Sequence, residues 1–355
     1  GILIKGGEYL ETSAKISAVA VDKTGTLTEG RPKLTDIVVL DHSMARTDVL
    51  RWAAAAEAGS EHPLARPILD AASDEGVGPV GMPGGVTPVA GKGIVSEVED
   101  QRVLIGNAPL LAQYGVEDTV GADDAANQLA AQGKTPMIVA VDEAVIGVIA
   151  VADQIRADAP DMVARLHDAG VEKVVMLTGD TRLVAEAIGA SVGIDEIHAS
   201  LLPEDKLDAV AKMQRDGHTV AMVGDGVNDA PALATADIGV AMGAAGSAVA
   251  VETADIALMG DNLMKLPESV SLAKRTVSVM RQNIFIALAT VVALLIGVFA
   301  GGVTMSVGML VHEGSVLVVI LNAMRLMRND QHSTAMSKTQ RSPAGNARET
   351  QTTKV

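Results

Sequence analysis

The hydrophobic pattern changes rhythm along the chain. The unbroken apolar run Ala18-Val19-Ala20-Val21 ends on Asp22 and runs into the turn-rich string Lys23-Thr24-Gly25-Thr26-Leu27-Thr28. A short apolar run closed by such a turn predicts a strand buried on both faces of a parallel sheet. After Arg31-Pro32, short strands at 36–40, 94–99 and 103–105 mix with helices at 47–59, 63–72 and 118–132, a Gly- and Pro-rich loop at 76–88, and a hairpin at 137–142 and 145–151. Strands and helices that mix without βαβ alternation predict a separate α+β body. From about Ile149 the parallel rhythm returns. A helix at 156–169 is stopped by Gly170, and a strand at 174–177 ends in Thr178-Gly179-Asp180. Helices at 183–188 and 205–214 follow, then a strand at 219–223 ending in Gly224-Asp225-Gly226, and strands at 238–241 and 256–258. The echo of Thr235-Ala236-Asp237-Ile238 in Thr253-Ala254-Asp255-Ile256 marks two adjacent strands of one sheet. The expected organisation is therefore a doubly wound domain of residues 18–32 and 147–265, interrupted at a loop by an insert of residues 33–146. Residues 1–17 read as a stalk or linker.

The last rhythm is different in kind. No charged residue lies between Arg281 and His312, and 283–300 is a run of membrane length, broken at Gly301-Gly302 and followed by a second run at 305–324. Together they predict a two-helix transmembrane hairpin over 283–326. Lys274, Arg275 and Arg281 flank one end of it, and Arg325 and Arg328 flank the other. The positive-inside rule puts both ends in the cytosol, with the preceding domains, in a multi-pass protein of the cell membrane. The polar stretch 329–355 is expected to be disordered.

Composition narrows the classes. The 355 residues carry a net charge of −16, which excludes the basic footprint of a nucleic-acid partner. There is no Cys, hence no disulfide framework and no thiolate metal site. Aromatics are 1% of the chain, so Ala, Val, Gly and Leu must fill the core. The opening Gly1-Ile2-Leu3-Ile4-Lys5 is no signal peptide and reads as the continuation of something upstream.

The chemistry gathers at strand ends, where open α/β sheets place their sites. Asp22 stands where a nucleophile would. Thr24, Gly25 and Thr26 offer hydroxyls and unhindered N–H groups to an oxyanion. Thr178-Gly179-Asp180 offers the same, Lys206 a positive charge, and Asp225 and Asp229 are spaced to hold Mg²⁺ with Asn228 beside them. Phosphoryl transfer is catalysed mainly by positioning and positive charge. Carboxylates alone would repel a phosphate, so this acidic set calls for Mg²⁺. Each piece is weak alone. Their coincidence at the strand ends of one sheet is strong.

Asp22-Lys23-Thr24-Gly25-Thr26-Leu27-Thr28 resembles the phosphorylation signature of the P-type ATPases, and Gly224-Asp225-Gly226-Val227-Asn228-Asp229-Ala230-Pro231 resembles their hinge motif. The resemblance implies a doubly wound haloacid-dehalogenase-like phosphorylation domain with an inserted α+β nucleotide-binding domain, followed by the transmembrane hairpin. It implies ATP as substrate, Asp22 as the phosphorylated residue, and Lys23, Thr24, Thr178, Gly179, Asp180, Lys206 and Asn228 as its catalytic company. Asp22, Thr24, Asp225 and Asp229 would hold Mg²⁺. Related phosphatases carry a second Asp two residues after the nucleophile. Here that position is Thr24, so an aspartyl phosphate is expected to persist.

In the insert, Glu57, Ser60-Glu61-His62-Pro63-Leu64, Gly91-Lys92-Gly93 and Asn107 resemble the adenine site of the heavy-metal-transporting (type IB) branch. That carries Glu57, His62, Gly91, Gly93 and Asn107 to nucleotide contacts; a bare His-Pro pair is otherwise a helix start with His as a cap. Trp52 and Tyr114 are expected in the local core. In the second span, His312-Glu313-Gly314-Ser315-Val316 resembles the His-Glu-Gly-Gly-Thr pattern of the cobalt-type subgroup, with Ser315 in place of Gly and Val316 in place of Thr. An ionisable pair at bilayer depth is costly and marks function by default. Imidazole and carboxylate suit a divalent transition metal, which implies His312, Glu313 and Ser315 as its ligands. The function implied is ATP-driven export of cobalt, zinc, cadmium or iron. A complete pump of this family has further helices and an actuator domain with a Thr-Gly-Glu motif before this point, so the chain resembles its C-terminal half and the N-terminal half is an expected partner. The rival readings are a membrane-tethered phosphatase of the haloacid-dehalogenase type, opposed by Thr24 and by His312-Glu313, and a non-catalytic regulatory fragment, opposed by the complete motifs.

Overall fold

The structure, a computed structural model, describes residues 1–328 other than 61, 63, 78–81, 226–228, 244–251 and 261. The stretch 329–355 and Asn228 thus lie outside the described residues. The chain divides into a unit of Gly1–Ser271 and a second unit from Leu272 onward.

The first unit holds two sheets. The strands, in chain order, are β1 (Ile2–Ile4), β2 (Ala18–Asp22), β3 (Lys33–Val39), β4 (Gly85–Val89), β5 (Gly93–Val98), β6 (Gln101–Gly106), β7 (Thr135–Val141), β8 (Ala144–Ala152), β9 (Lys173–Leu177), β10 (Glu196–His198), β11 (Val220–Gly224), β12 (Ile238–Ala241) and β13 (Ile256–Leu258). The seven-stranded sheet has the order β1-β13-β12-β11-β2-β9-β10. Its strands are parallel except β1, which pairs antiparallel with β13.

Strand β2 is buried along its whole length. Val19 and Val21 point into a core with Met162, Leu166, Met176 and Ile188, from helices Ala159–Asp168 and Arg182–Val192 and strand β9. Ala18 and Ala20 point the other way, against Val210, Met213, Met222 and Leu233, beneath helices Pro203–Arg215 and Ala230–Thr235. Two covered faces explain why the strand is apolar at every position. The strands of the Thr-Ala-Asp-Ile echo are indeed parallel neighbours, β12 and β13.

Two differences from the sequence reading concern edges. Residues 1–17 were expected to be a linker, yet Ile2–Ile4 forms edge strand β1 and Gly7–Ser13 a helix. Strand β10 closes the opposite edge. Both edge strands are three residues long, too short for a period to register.

The six-stranded sheet has the order β3-β8-β7-β6-β5-β4 and is antiparallel throughout. Here the expected domain return at residue 147 is corrected. Strand β8 continues to Ala152, paired with Lys33 of β3, so residues 147–152 stay in the insert's sheet. Ile146, Ile149 and Val151 face helices Arg46–Glu57 and Ala65–Asp74, while Val148 and Ala150 face Leu110, Leu111 and Leu129 on the other side. A strand covered on both faces reads the same in a parallel or an antiparallel sheet, and the sequence pattern cannot tell them apart. Trp52 and Tyr114 pack in these two cores, as expected. Strand β4 lies within the Gly- and Pro-rich stretch read as loop; as an edge strand it tolerates Pro88.

The two chain crossings between the sheets are fastened together. Asp153 accepts hydrogen bonds from the Thr28 hydroxyl (2.5 Å) and from the N–H groups of Gly30 (3.0 Å) and Arg31 (2.9 Å). Arg156 Nε donates to the Thr28 carbonyl at 3.0 Å.

In the second unit, helices Lys265–Phe299, which begins in the first unit, and Met305–Arg328 are long and apolar enough to cross a membrane. The first starts well before the expected span at 283, because the polar stretch ahead of it is also helical. Asn322 donates to Asn283 Oδ1 at 2.9 Å and to Gln282 Oε1 at 3.2 Å, tying the last turns of the second helix to the middle of the first, where its apolar run begins.

Candidate phosphoryl-transfer site and nucleotide cavity

Asp22 is the last residue of the central strand and is 7% exposed. The adjoining segment Lys23–Leu27 is a tight turn in which Thr24 is extended and Gly25 has φ 72°. That left-handed step turns the chain back under the strand end, where a Cβ on Gly25 would stand 3.5 Å from the Asp225 Cβ. Asp225 therefore faces the nucleophile loop from the neighbouring strand end.

Lys206 reaches the same place from helix Pro203–Arg215. Its Nζ lies 2.6 Å from Asp22 Oδ1 and 2.7 Å from Asp229 Oδ1. Burial, reinforced by the Asp229 charge, pushes the Asp22 carboxyl up to about 6, against the opposing pull of Lys206. Burial alone would depress the Lys206 ammonium, but Asp22 and Asp229 more than offset it and its pKa is raised. Lys23 is ion-paired with Asp180. Thr178 is 3% exposed, and its Oγ accepts the Asp180 N–H at 3.1 Å, leaving the hydroxyl hydrogen to donate elsewhere. Thr26, expected to offer its hydroxyl to an oxyanion, is instead wholly buried with that oxygen unpartnered.

The expected Mg²⁺ ligands share this pole of the sheet. Among the described residues, no three His, Cys, Asp or Glu side chains converge tightly enough to form a cage, and the ammonium of Lys206 stands between Asp22 and Asp229. Mg²⁺ ordinarily takes only one or two carboxylates and completes its shell with phosphate oxygens and water. The hard oxygens of Asp22, at the central strand end, and of Asp225, which packs against Gly25, fit that demand.

A cavity of about 400 Å³ connects the insert to this pole. Glu57, His62, Gly91, Gly93 and Asn107 all line it, with Gly179, Asp180 and Thr181 from the parallel domain. Glu57 is 3% exposed, one of its carboxyl oxygens has no partner, and burial raises its pKa against a hydrogen bond from Ser60. Burial lowers the His62 pKa, and its Nδ1 accepts the Leu64 N–H at 3.2 Å. The ring thus does cap the local turn, and Nε2 is left for the cavity. Asn107 Nδ2 donates to the Gly91 carbonyl (3.0 Å) and its Oδ1 caps helix Ala108–Gln113 through the Leu110 N–H (3.2 Å). Its side chain holds the glycine turn in place. Sequence reasoning missed Thr135, Pro136, Met137 and Thr181 in the lining, which carry no motif, and missed the Asp153–Arg156 clamp, whose charged pair at the end of the insert was the available signal.

His312 and Glu313 lie exposed on helix Met305–Arg328, and the Ser315 hydroxyl donates back to the His312 carbonyl at 2.7 Å. Among the described residues no third His, Cys, Asp or Glu joins them to form a cage.

Residues 16–237 match the family described as haloacid dehalogenase-like hydrolase. The chain is 42% identical over 331 residues to a probable cadmium-transporting ATPase of Staphylococcus aureus, covering 92% of this chain and 41% of that protein. It is 40% identical over 336 residues to a manganese-exporting P-type ATPase of Mycobacterium bovis, covering 92% of this chain and 46% of that protein. Among solved structures it matches a zinc-transporting PIB-type ATPase in an E2.Pi state with TM-score 0.69 and 39% identity, covering 92% of this chain and 52% of that one. The chain thus spans less than half the length of these two curated relatives. A parallel sheet with Asp22 at its central strand end, and a family match over 16–237, place this chain among the haloacid dehalogenase-like hydrolases, with heavy-metal-transporting P-type ATPases as its close relatives.

Proposed function

We propose that this chain carries the phosphorylation domain, the nucleotide-binding domain and the last membrane hairpin of a pump that exports a divalent transition metal. One observation carries the reading. The cavity lined by Glu57, His62, Gly91 and Gly93 runs to Gly179, Asp180 and Thr181, and Asp180 is ion-paired to the residue next to Asp22. Adenine held at one end of that cavity puts the phosphates at the other, beside the nucleophile.

In the proposed step a carboxylate oxygen of Asp22 attacks the γ-phosphorus of ATP, the bond to the β–γ bridging oxygen breaks, and ADP leaves with its electron pair. Mg²⁺ on Asp22 and Asp225, with Asp229 and Thr24 nearby, would neutralise the phosphate charge. Lys206 holds Asp22 in place and offers a positive charge to the transferred group. The Thr178 hydroxyl and the Gly179 N–H donate to phosphoryl oxygens. No carboxylate stands at position 24 to activate water, so the acyl phosphate lasts long enough to drive movement. His312, Glu313 and Ser315 supply ligands from the second span, completed by groups outside this chain. The relatives' metals, cadmium, manganese and zinc, overlap the expected cobalt, zinc, cadmium or iron and add manganese to the set worth assaying.

The test is transfer of labelled phosphate from ATP with Mg²⁺, giving an acid-stable, hydroxylamine-labile adduct. Asp22→Asn is expected to abolish it, and undiminished label in that variant would sink the assignment. Glu313→Ala in the complete pump is expected to lose metal-stimulated turnover while Asp22 still accepts inorganic phosphate.

A further inference from the structure

The second unit holds a feature that the pump reading does not use. A cavity of about 260 Å³ opens between its two helices, lined by Arg275, Ser278, Val279 and Gln282 of the first and Arg325 and Leu326 of the second. Arg275, Ser278, Val279 and Gln282 follow the i, i+3, i+4, i+7 spacing of one helix face. Their polar groups are donors. Asn322 Nδ2 takes up the Gln282 carbonyl oxygen at 3.2 Å, and Asn322 Oδ1 accepts from Arg325 Nη1 at 3.1 Å. Asn322 thereby orients both side chains and leaves the Gln282 amide hydrogens and the rest of the Arg325 fork unspent. The nearest acidic residues along the two helices are Glu268, seven residues or about 10.5 Å before Arg275 and already ion-paired to Lys265 at 2.6 Å, and Glu313, twelve residues or about 18 Å before Arg325. Two guanidinium groups, an amide and a hydroxyl without a nearby carboxylate suit a phosphate oxyanion, which Arg binds through two parallel hydrogen bonds.

We propose that this cavity binds the phosphodiester headgroup of an anionic phospholipid of the cytosolic leaflet. The proposal rests on the reading of the helix pair as a membrane hairpin. A free phosphate would share the polar contacts, but Val279 and Leu326 in the lining, and the apolar run that begins at Ile284, suit a ligand with a glycerol backbone and acyl chains. Basic pockets between spans on the cytosolic side bind such headgroups. Topology signalling alone asks only for positive charge, a need that Arg281, outside the lining, already meets.

Native mass spectrometry of the whole chain, released from neutral detergent mixed with phosphatidylglycerol or phosphatidylcholine, tests this. Phosphatidylcholine offers the same phosphodiester but adds a choline cation, which Arg275 and Arg325 would repel, so one phosphatidylglycerol should be retained about tenfold more strongly than phosphatidylcholine. Arg275→Gln with Arg325→Gln should remove the preference, and Arg281→Gln should keep it. Should the double Gln variant fail to fold, Arg275→Lys with Arg325→Lys keeps the charge, loses the fork, and should lower retention. Equal retention of the two lipids, equal loss in Arg281→Gln, or displacement by inorganic phosphate would each overturn the lipid site. A chain that remains soluble without detergent would instead overturn the membrane hairpin on which the site depends.

Discussion

At Asp22 the sheet buries a carboxyl group that the proposed reaction needs ionised. The folded-state pKa of about 6, against the usual 3.8, carries a sign that can be tested. Between about pH 4 and 6 the unfolded chain has already released this proton and the folded chain still holds it, so this group's contribution to stability falls as pH rises through that window. Without Mg²⁺, Asp22→Asn should match wild type near pH 4 and gain over it up to about pH 6, with a constant gap above. Urea midpoints across pH measure this, and a gap that does not change with pH would refute the burial argument. Lys206 is the counterweight. Its replacement by Met leaves Asp22 and Asp229 as buried like charges and should destabilise the metal-free chain by about 3 kcal/mol at pH 7. At His62, partial desolvation in the cavity lowers the imidazole pKa, so its titration followed by NMR should have a midpoint below 6.5.

At the scale of elements, the glycine turn of the insert separates two roles. Gly93 has φ 142° and pairs with Gly106 across β5 and β6, where a Cβ would meet the Ile105 carbonyl oxygen at 2.1 Å. Gly91 has φ 69° and open space around its missing Cβ. Gly91→Ala should therefore cost only local backbone strain, about 1 kcal/mol, whereas Gly93→Ala must force the strands apart. Thermal unfolding should show a clearly larger loss for Gly93→Ala, and equal losses would mean that the close strand approach is not what position 93 supports. ATP binding should follow the same order, because the β5–β6 pair forms one wall of the cavity.

For the first unit as a whole, the question is how two sheets with separate cores act as one. The Asp153 carboxylate gathers three donors from residues 28–31 and Arg156 returns a bond to Thr28, so the outgoing and returning crossings form one joint. This joint lies between the sheet that carries Glu57 and Gly93 and the sheet that carries Asp22, so the proposed transfer across the cavity depends on it. Asp153→Ala should loosen it. Calorimetry is expected to resolve separate transitions for the two sheets where wild type shows stronger coupling, and protease should cut near residues 28–32 or 152–156. An unchanged calorimetric profile would show that the cavity walls alone couple the domains.

Much of this was legible because local chemistry demanded it. A strand ending in Asp22 before a turn with a left-handed glycine, the Gly224-Asp225 strand end, Lys206, and two long uncharged runs are features a linear sequence can display, since each depends on neighbours a few residues away. The strands at 238–241 and 256–258 were readable for the same reason. Other features depend on partners far along the chain. Ile2–Ile4 becomes a strand only because β13, more than 250 residues later, offers it an edge. Residues 147–152 join the insert because β3 pairs with them, and nothing in Gly147-Val148-Ile149-Ala150-Val151 declares which sheet will cover it. That Asn107 secures the Gly91 turn, and that Asp153 locks the joint, follow from hydrogen bonds that exist only once the fold has brought those atoms together. The sequence by itself singled out the candidate reacting groups, because chemistry needs particular side chains. The tertiary structure alone decided the sheet borders and the shape of the cavity, because pairing and burial are settled between residues that no local pattern connects.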